Sequence, residues 1–158
     1  MRGRVVYLFF ALVIGATFLM CRPLPDLNQY VAVPSTIENP TDSAKIALGK
    51  ELFFDTRLSL DNTISCAVCH KPGFAFTDGL KTSTGINGQK TDRNSPSILN
   101  SGFLKTVMFD AHLKTLELQA IVPIQEPVEM GHNMKLLIPQ LRAIPEYQEA
   151  AQRIFNRD

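Results

Sequence analysis

Cys66-Ala67-Val68-Cys69-His70 places two thiols three residues apart, with an imidazole immediately after them. On one turn of chain, thiols at that spacing reach the two vinyl groups of a single porphyrin. The next side chain is then set beneath the iron as its axial base. Cys66 and Cys69 are therefore read as thioether donors and His70 as the iron ligand of one covalent haem c. Two other chemistries use a CxxC pair. Half a zinc site needs a second pair of cysteines, and the sequence holds only one more, Cys21. A thioredoxin-like redox pair needs a strand before it and a helix after it, and no alternating strand pattern of useful length is present.

The N-terminus agrees with haem attachment, which takes place outside the cytoplasm. Arg2 and Arg4 precede an almost wholly apolar run over residues 5–20, followed by Arg22-Pro23-Leu24-Pro25-Asp26. A positive start, an apolar run and a polar break read as an export segment over residues 1–21. The run is slightly short for a membrane span. Cys21 is a candidate lipid-modified residue, although Met20 before it is bulkier than such cleavage sites prefer. An uncleaved anchor or an ordinary signal peptide are the alternatives. Each places the domain in the periplasm or on the outer face of a membrane, touching lipid only through this segment. Residues 22–40 carry Pro23, Pro25, Pro34 and Pro40 and read as a tether, which leaves residues 41–158 as the functional domain.

The rest of the composition narrows the classes. With 158 residues there is room for one domain beside the export segment. Hydrophobic residues make up 45% and charged residues 20%, an ordinary globular balance. Net charge is +1, and Lys and Arg are scattered with no basic run between aromatics, which excludes nucleic acid as a partner.

The elements that must position the motif read as all-α and loop-rich. Thr41-Asp42-Ser43 offers a helix cap, and Ile46, Gly49, Leu52 and Phe53 then fall on one face. Gly49 in that face would let another helix approach closely. Residues 56–66 read as a loop into the haem site. Residues 71–110, rich in Gly, Ser, Thr, Asn and Asp, read as a long loop ordered by a buried cofactor. A short helix is expected over residues 115–122, stopping at Pro123. Asn133 caps another, interrupted at Pro139. Pro145 opens a last helix with Tyr147, Ala151, Ile154 and Phe155 on one side. His112 and His132, in polar settings, read as surface histidines. Met108, Met130 and Met134 are candidate thioether ligands, more often core filler, and Met130 is the one to watch.

The stretch Leu48-Gly49-Lys50-Glu51-Leu52-Phe53-Phe54-Asp55-Thr56-Arg57-Leu58-Ser59, followed by Thr63-Ile64-Ser65 and the haem motif, resembles the start of the di-haem cytochrome c peroxidases, which include the MauG-like enzymes. The likeness continues through Phe76-Thr77-Asp78-Gly79, Arg93-Asn94-Ser95-Pro96-Ser97, Gln119-Ala120-Ile121-Val122-Pro123-Ile124 and Pro127-Val128-Glu129-Met130. It spans residues 42–155 in order.

The resemblance implies a cytochrome c-like domain carrying the peroxidatic haem. A second haem domain, with its own CxxCH, would receive electrons from a donor cytochrome c or cupredoxin and is missing from this chain. By position, Glu129 and Gln119 match the polar residues above the open haem face, with Pro123 packed beside them. Splitting hydrogen peroxide needs a group that moves a proton from the inner to the outer oxygen, which a carboxylate such as Glu129 can do. Gln119 can donate a hydrogen bond to the bound oxygen. Asn94 matches a residue that helps bind a calcium ion between the two domains, with most ligands in the other half.

Two positions depart from the family. Some bacterial peroxidases carry a haem-ligating His where Ile86 stands here, so the sixth iron position would be open without reductive activation, as in the MauG-like pattern. Phe109 stands where a Trp between the haems is usual, and Phe is much harder to oxidise. The leading expectation is a haem-dependent module reducing hydrogen peroxide. The alternatives are a mono-haem electron-transfer cytochrome c and MauG-like oxidation of a partner protein.

Overall fold

The computed structural model describes residues 39–40 and 42–156. The export segment over residues 1–21, Cys21 and nearly all of the tether lie outside the described residues. Among the described residues the chain is helical and loop-rich, with no strand and two isolated antiparallel bridges, Thr84 to Lys90 and Val107 to Leu113. The fold is all-α and cytochrome c-like, as the sequence implies. No described helix is long and apolar enough to cross a membrane.

Helix α1 (Ser43–Phe54) begins where an acidic cap was expected. Asp42 Oδ1 accepts from the Ala44 and Lys45 amides at 2.7 and 3.2 Å, two of the donors a helix start leaves orphaned. Its face differs from the expected one. Leu52 and Phe53 are half-buried, whereas Ile46 is 62% exposed and a Cβ on Gly49 would meet nothing within 4 Å. Among the described residues no helix approaches at Gly49. The burying end is the C-terminal turn, where Phe53 meets Phe76 edge to face at 6.2 Å.

Helix α2 (Cys66–Cys69) is a single turn, packed on α1. The loop that delivers it is organised by one buried hydroxyl. Ser59 Oγ donates to the Thr56 carbonyl at 2.9 Å and accepts from the Thr63 and Ile64 amides at 3.0 Å each.

Helix α3 (Leu116–Gln125) is capped by Thr115 and does not stop at Pro123, which lies inside it. Proline there removes only the bond to the Gln119 carbonyl, and the turn continues because the Glu126 amide still reaches the Val122 carbonyl at 3.0 Å. Helix α4 (Met134–Arg142) is capped by Asn133 as expected and runs through Pro139 for the same reason. Helix α5 (Pro145–Phe155) starts on its proline, buries Ala150 and packs against α4 and α1. The core joining these elements is small: Leu58, Met130 and Leu137, flanked by Leu52, Ile64, Ile124, Met134 and Leu141. Met130 is therefore core filler rather than a free thioether.

His132 is not at the surface. It is 4% exposed, with Nδ1 accepting from the Asn133 amide at 2.8 Å and Nε2 donating to Gln140 Oε1 at 2.9 Å. A neutral ring with both nitrogens satisfied is buried at little cost. His112, by contrast, is exposed as expected.

Candidate haem site

The chemistry of the motif depends on which imidazole nitrogen is free. His70 ends the α2 turn, its amide donating to the Cys66 carbonyl at 2.8 Å. The ring then turns Nδ1 toward two backbone carbonyls, Phe76 O and Pro96 O, each at 3.1 Å. Both are acceptors, so Nδ1 carries the proton and Nε2 keeps its lone pair. A ligating histidine needs this outer-shell arrangement.

The loop makes the first of those carbonyls, Phe76 O, available by strain. Ala75 and Phe76 both sit in the left-handed region, at φ +53° and +59°, costing on the order of 1–2 kcal/mol for a residue with a Cβ. The turn is held by Phe76 N to Lys71 O at 2.9 Å and by the Ser97 hydroxyl on Ala75 O at 2.6 Å. Phe53 of α1 packs on the Phe76 ring, so the first helix braces the residue that orients His70.

Both cysteines are unpaired and half-buried on the same turn. Burial pushes each thiol above its usual range. Among the described residues no three His, Cys, Asp or Glu side chains are gathered to hold a metal ion. The donor set instead fits a porphyrin joined through two thioethers, with one imidazole on its iron.

A polar cluster that sequence reasoning did not assign surrounds Cys69. Asp78, Ser83 and Thr91 are buried, and the Ser83 and Ser95 hydroxyls share a hydrogen bond of 2.6 Å. The Ser95 and Ser83 hydroxyls pull the Cys69 thiol down against its burial, and Ser83 does the same for the Asp78 carboxyl. Burial pushes the Asp78 carboxyl up, but the bonds from Ser83 and the Leu80 amide, with the charge of Lys71, outweigh it and hold it low. Asp78 lies within the Phe76-Thr77-Asp78-Gly79 match and Ser95 within the Arg93-Asn94-Ser95-Pro96-Ser97 match, the sequence signals that pointed toward this cluster.

Glu129 sits in the loop between α3 and α4, half-buried. Burial pushes its carboxyl up, and the charge of Glu126 adds to the push. Its own charge in turn adds to the upward push on the Cys69 thiol. Gln119 and Pro123 lie one turn apart on α3, both half-buried. The Pro123 carbonyl accepts from the Met130 amide at 3.2 Å, tying the residue after Glu129 to the Gln119 face. Asn94 is exposed beside Arg93, which pairs with Asp110 at 3.2 Å and lies over the Phe109 ring at 4.5 Å. Phe109 itself is 83% exposed. Ile86 is 3% exposed, its amide donating to the Glu129 carbonyl at 2.8 Å.

Comparison with known proteins agrees with this geometry. A family model described as di-haem cytochrome c peroxidase matches residues 43–158. The chain is 37% identical over 127 residues to the methylamine utilization protein MauG of Methylorubrum extorquens, covering 80% of this chain and 36% of that protein. It is 40% identical over 118 residues to cytochrome c551 peroxidase of Pseudomonas aeruginosa, covering 75% and 34%. A crystal structure of a MauG-like protein associated with microbial copper homeostasis superposes with a TM-score of 0.74 at 37% identity, over 85% of this chain and 41% of that one. The chain thus spans about a third of the length of the curated relatives it matches. On the matched residues and the shared fold together, the chain belongs to the di-haem cytochrome c peroxidase family.

Proposed function

We propose that residues 41–158 are the peroxidatic haem module of a di-haem enzyme that reduces hydrogen peroxide to water, taking up two electrons and two protons. The observation that carries the reading is the His70 ring, with Nδ1 held by two carbonyls and Nε2 free on the turn that presents both cysteines. Cys66 and Cys69 would anchor the porphyrin, His70 would bind its iron, and Pro123 would pack against it. Bound there, the iron supplies the Lewis-acid and electron-transfer chemistry for cleaving an O–O bond.

The chain's own residues supply the rest. Burial leaves Glu129 holding its proton more tightly than an ordinary carboxylate, which suits a group that takes a proton from one peroxide oxygen and returns it to the other. Gln119 donates an amide hydrogen to peroxide and orients it. Electrons would arrive from a second haem domain and ultimately from a donor cytochrome c or cupredoxin. Asn94 would contribute to a calcium site shared with that domain. Residues 1–21 would export the protein to the periplasm, with Cys21 a candidate lipid anchor, and residues 22–40 would form the tether.

A second reading, MauG-like oxidation of a partner protein, is favoured by one residue. Ile86 cannot ligate iron, so no side chain at that position has to leave before peroxide binds. An absorption spectrum of haem-loaded protein with and without peroxide tests the peroxidatic reading. A high-spin ferric signal that changes on adding peroxide supports it. A low-spin spectrum with a methionine–iron charge-transfer band, indifferent to peroxide, would overturn it in favour of a simple electron carrier. Steady turnover of peroxide with a reduced small cytochrome then separates peroxidase from protein oxidase.

A further inference from the structure

We propose that Gly85 and Ile86 are positioning residues that bracket the backbone of Glu129 and hold its carboxylate at the haem site in one arrangement. This rests on the reading of Glu129 as the group that moves the peroxide proton.

Gly85 is not required by its backbone angle, since φ is −102°, which any residue adopts. It is required by proximity. A Cβ at this position would lie 2.6 Å from the Glu129 carbonyl oxygen, 2.7 Å from the Glu129 Cα and closer still to the Val128 carbonyl oxygen. All three are backbone atoms, which cannot swing aside as a side chain can. The next residue turns that approach into a bond, the Ile86 amide donating to the Glu129 carbonyl at 2.8 Å. Its buried side chain lies 3.5 Å from where a Cβ would stand on Gly131, two residues beyond Glu129.

The bracket is itself rigid. Gly85 N reaches Gln89 O at 2.9 Å, Gln89 N reaches Ile86 O at 3.1 Å, and Thr91 N reaches Ser83 O at 3.1 Å. On its other sides the Glu129 segment is held by Leu60 N on Met130 O at 3.0 Å, Met130 N on Pro123 O at 3.2 Å and His132 N on Ile124 O at 2.7 Å. A methyl group on Gly85 must push the two peptides that flank Glu129, and a displacement of about 1 Å at a reacting group costs on the order of a hundredfold in rate.

The test is a cycle of haem-loaded variants, Gly85→Ala, Glu129→Gln and the double substitution. Each is followed by stopped-flow absorbance for its bimolecular rate with hydrogen peroxide. Glu129→Gln should slow that rate about a hundredfold or more, Gly85→Ala by about tenfold to a hundredfold, and the double variant no further than Glu129→Gln alone. A second readout is independent of turnover: hydrogen exchange at the Ile86 amide, slow in the parent protein, should become fast in Gly85→Ala. Full rate in Gly85→Ala, unchanged Ile86 exchange, or multiplying losses in the double variant would each overturn the proposal. An undiminished rate in Glu129→Gln would instead remove the proton-moving role, and the proposal with it. If Gly85→Ala fails to fold or take up haem, Ile86→Ala is read in the same cycle by its rates alone, because it keeps the amide donor and removes the wedge.

Discussion

Replacing Ser59 by Ala removes one hydroxyl from the loop that delivers Cys66, and the structure fixes what is lost. The residue is 1% exposed. Its Oγ donates to Thr56 O and accepts from the Thr63 and Ile64 amides. The three losses are unequal. Thr56 O keeps the Ser59 amide at 3.0 Å, and the Thr63 amide keeps Asp61 Oδ1 at 3.0 Å. The Ile64 amide has no second acceptor of this kind, and it lies two residues before Cys66. An orphaned, part-buried amide costs about 1–3 kcal/mol, so the variant should lose about 2 kcal/mol and roughly 6–10 °C in Tm. Urea unfolding of haem-loaded protein, followed by far-UV circular dichroism, measures this as a lower midpoint at unchanged slope. Asp61→Asn, which keeps an acceptor for Thr63, serves as the control and should lose far less. A loss under about 0.5 kcal/mol in Ser59→Ala would refute the assignment of Ser59 as the hub of this loop.

Three further predictions concern pH. Asp55 joins α1 to α5: burial pushes its carboxyl up, but Arg57 at 2.7 Å and the Tyr147 hydroxyl outweigh that and hold it below the usual range. Its contribution to stability is therefore present above the ordinary carboxylate value and lost as pH falls through the lowered one. Asp55→Asn should flatten the acid limb of a stability–pH curve measured by urea unfolding. Tyr147 is pushed up to about 12 by burial and by Asp55, so stability should fall between the ordinary phenol value and about pH 12, a fall that Tyr147→Phe abolishes. Glu129 has the opposite sign to Asp55. Its raised value means stability is greatest below the ordinary carboxylate range and declines as pH rises through the raised one. Glu129→Gln should therefore be relatively more stable at neutral pH than at pH 4, and a parallel pair of curves would refute the burial of that carboxylate.

The parts legible in the sequence were those decided by neighbours along the chain. Asp42 and Asn133 cap helices because their side chains reach amides two or three residues on, and Pro145 starts one because its missing amide costs nothing there. The haem turn was legible for the same reason. Pro123 and Pro139 misled, because a single lost hydrogen bond is a small part of what holds a helix docked on a core. The burial of His132 was hidden because its partner Gln140 arrives only after α4 has formed. Gly85 was the least visible of all, since the peptide it must admit lies more than forty residues away. Glu129, Gln119 and Pro123 were picked out by likeness alone, and residue chemistry would not have singled them out.

The proton of His70 is shared by two neutral carbonyls rather than handed to a carboxylate. A carboxylate would draw the ring toward imidazolate and make it a much stronger electron donor. Paired amide oxygens withdraw the proton only slightly, so they lend the ring little extra donor strength. Main-chain atoms do this tuning, and no single codon change can swap one of those oxygens for a charge. The donor strength of the imidazole is thus set jointly by two stretches of main chain, the strained bend at Phe76 and the segment at Pro96.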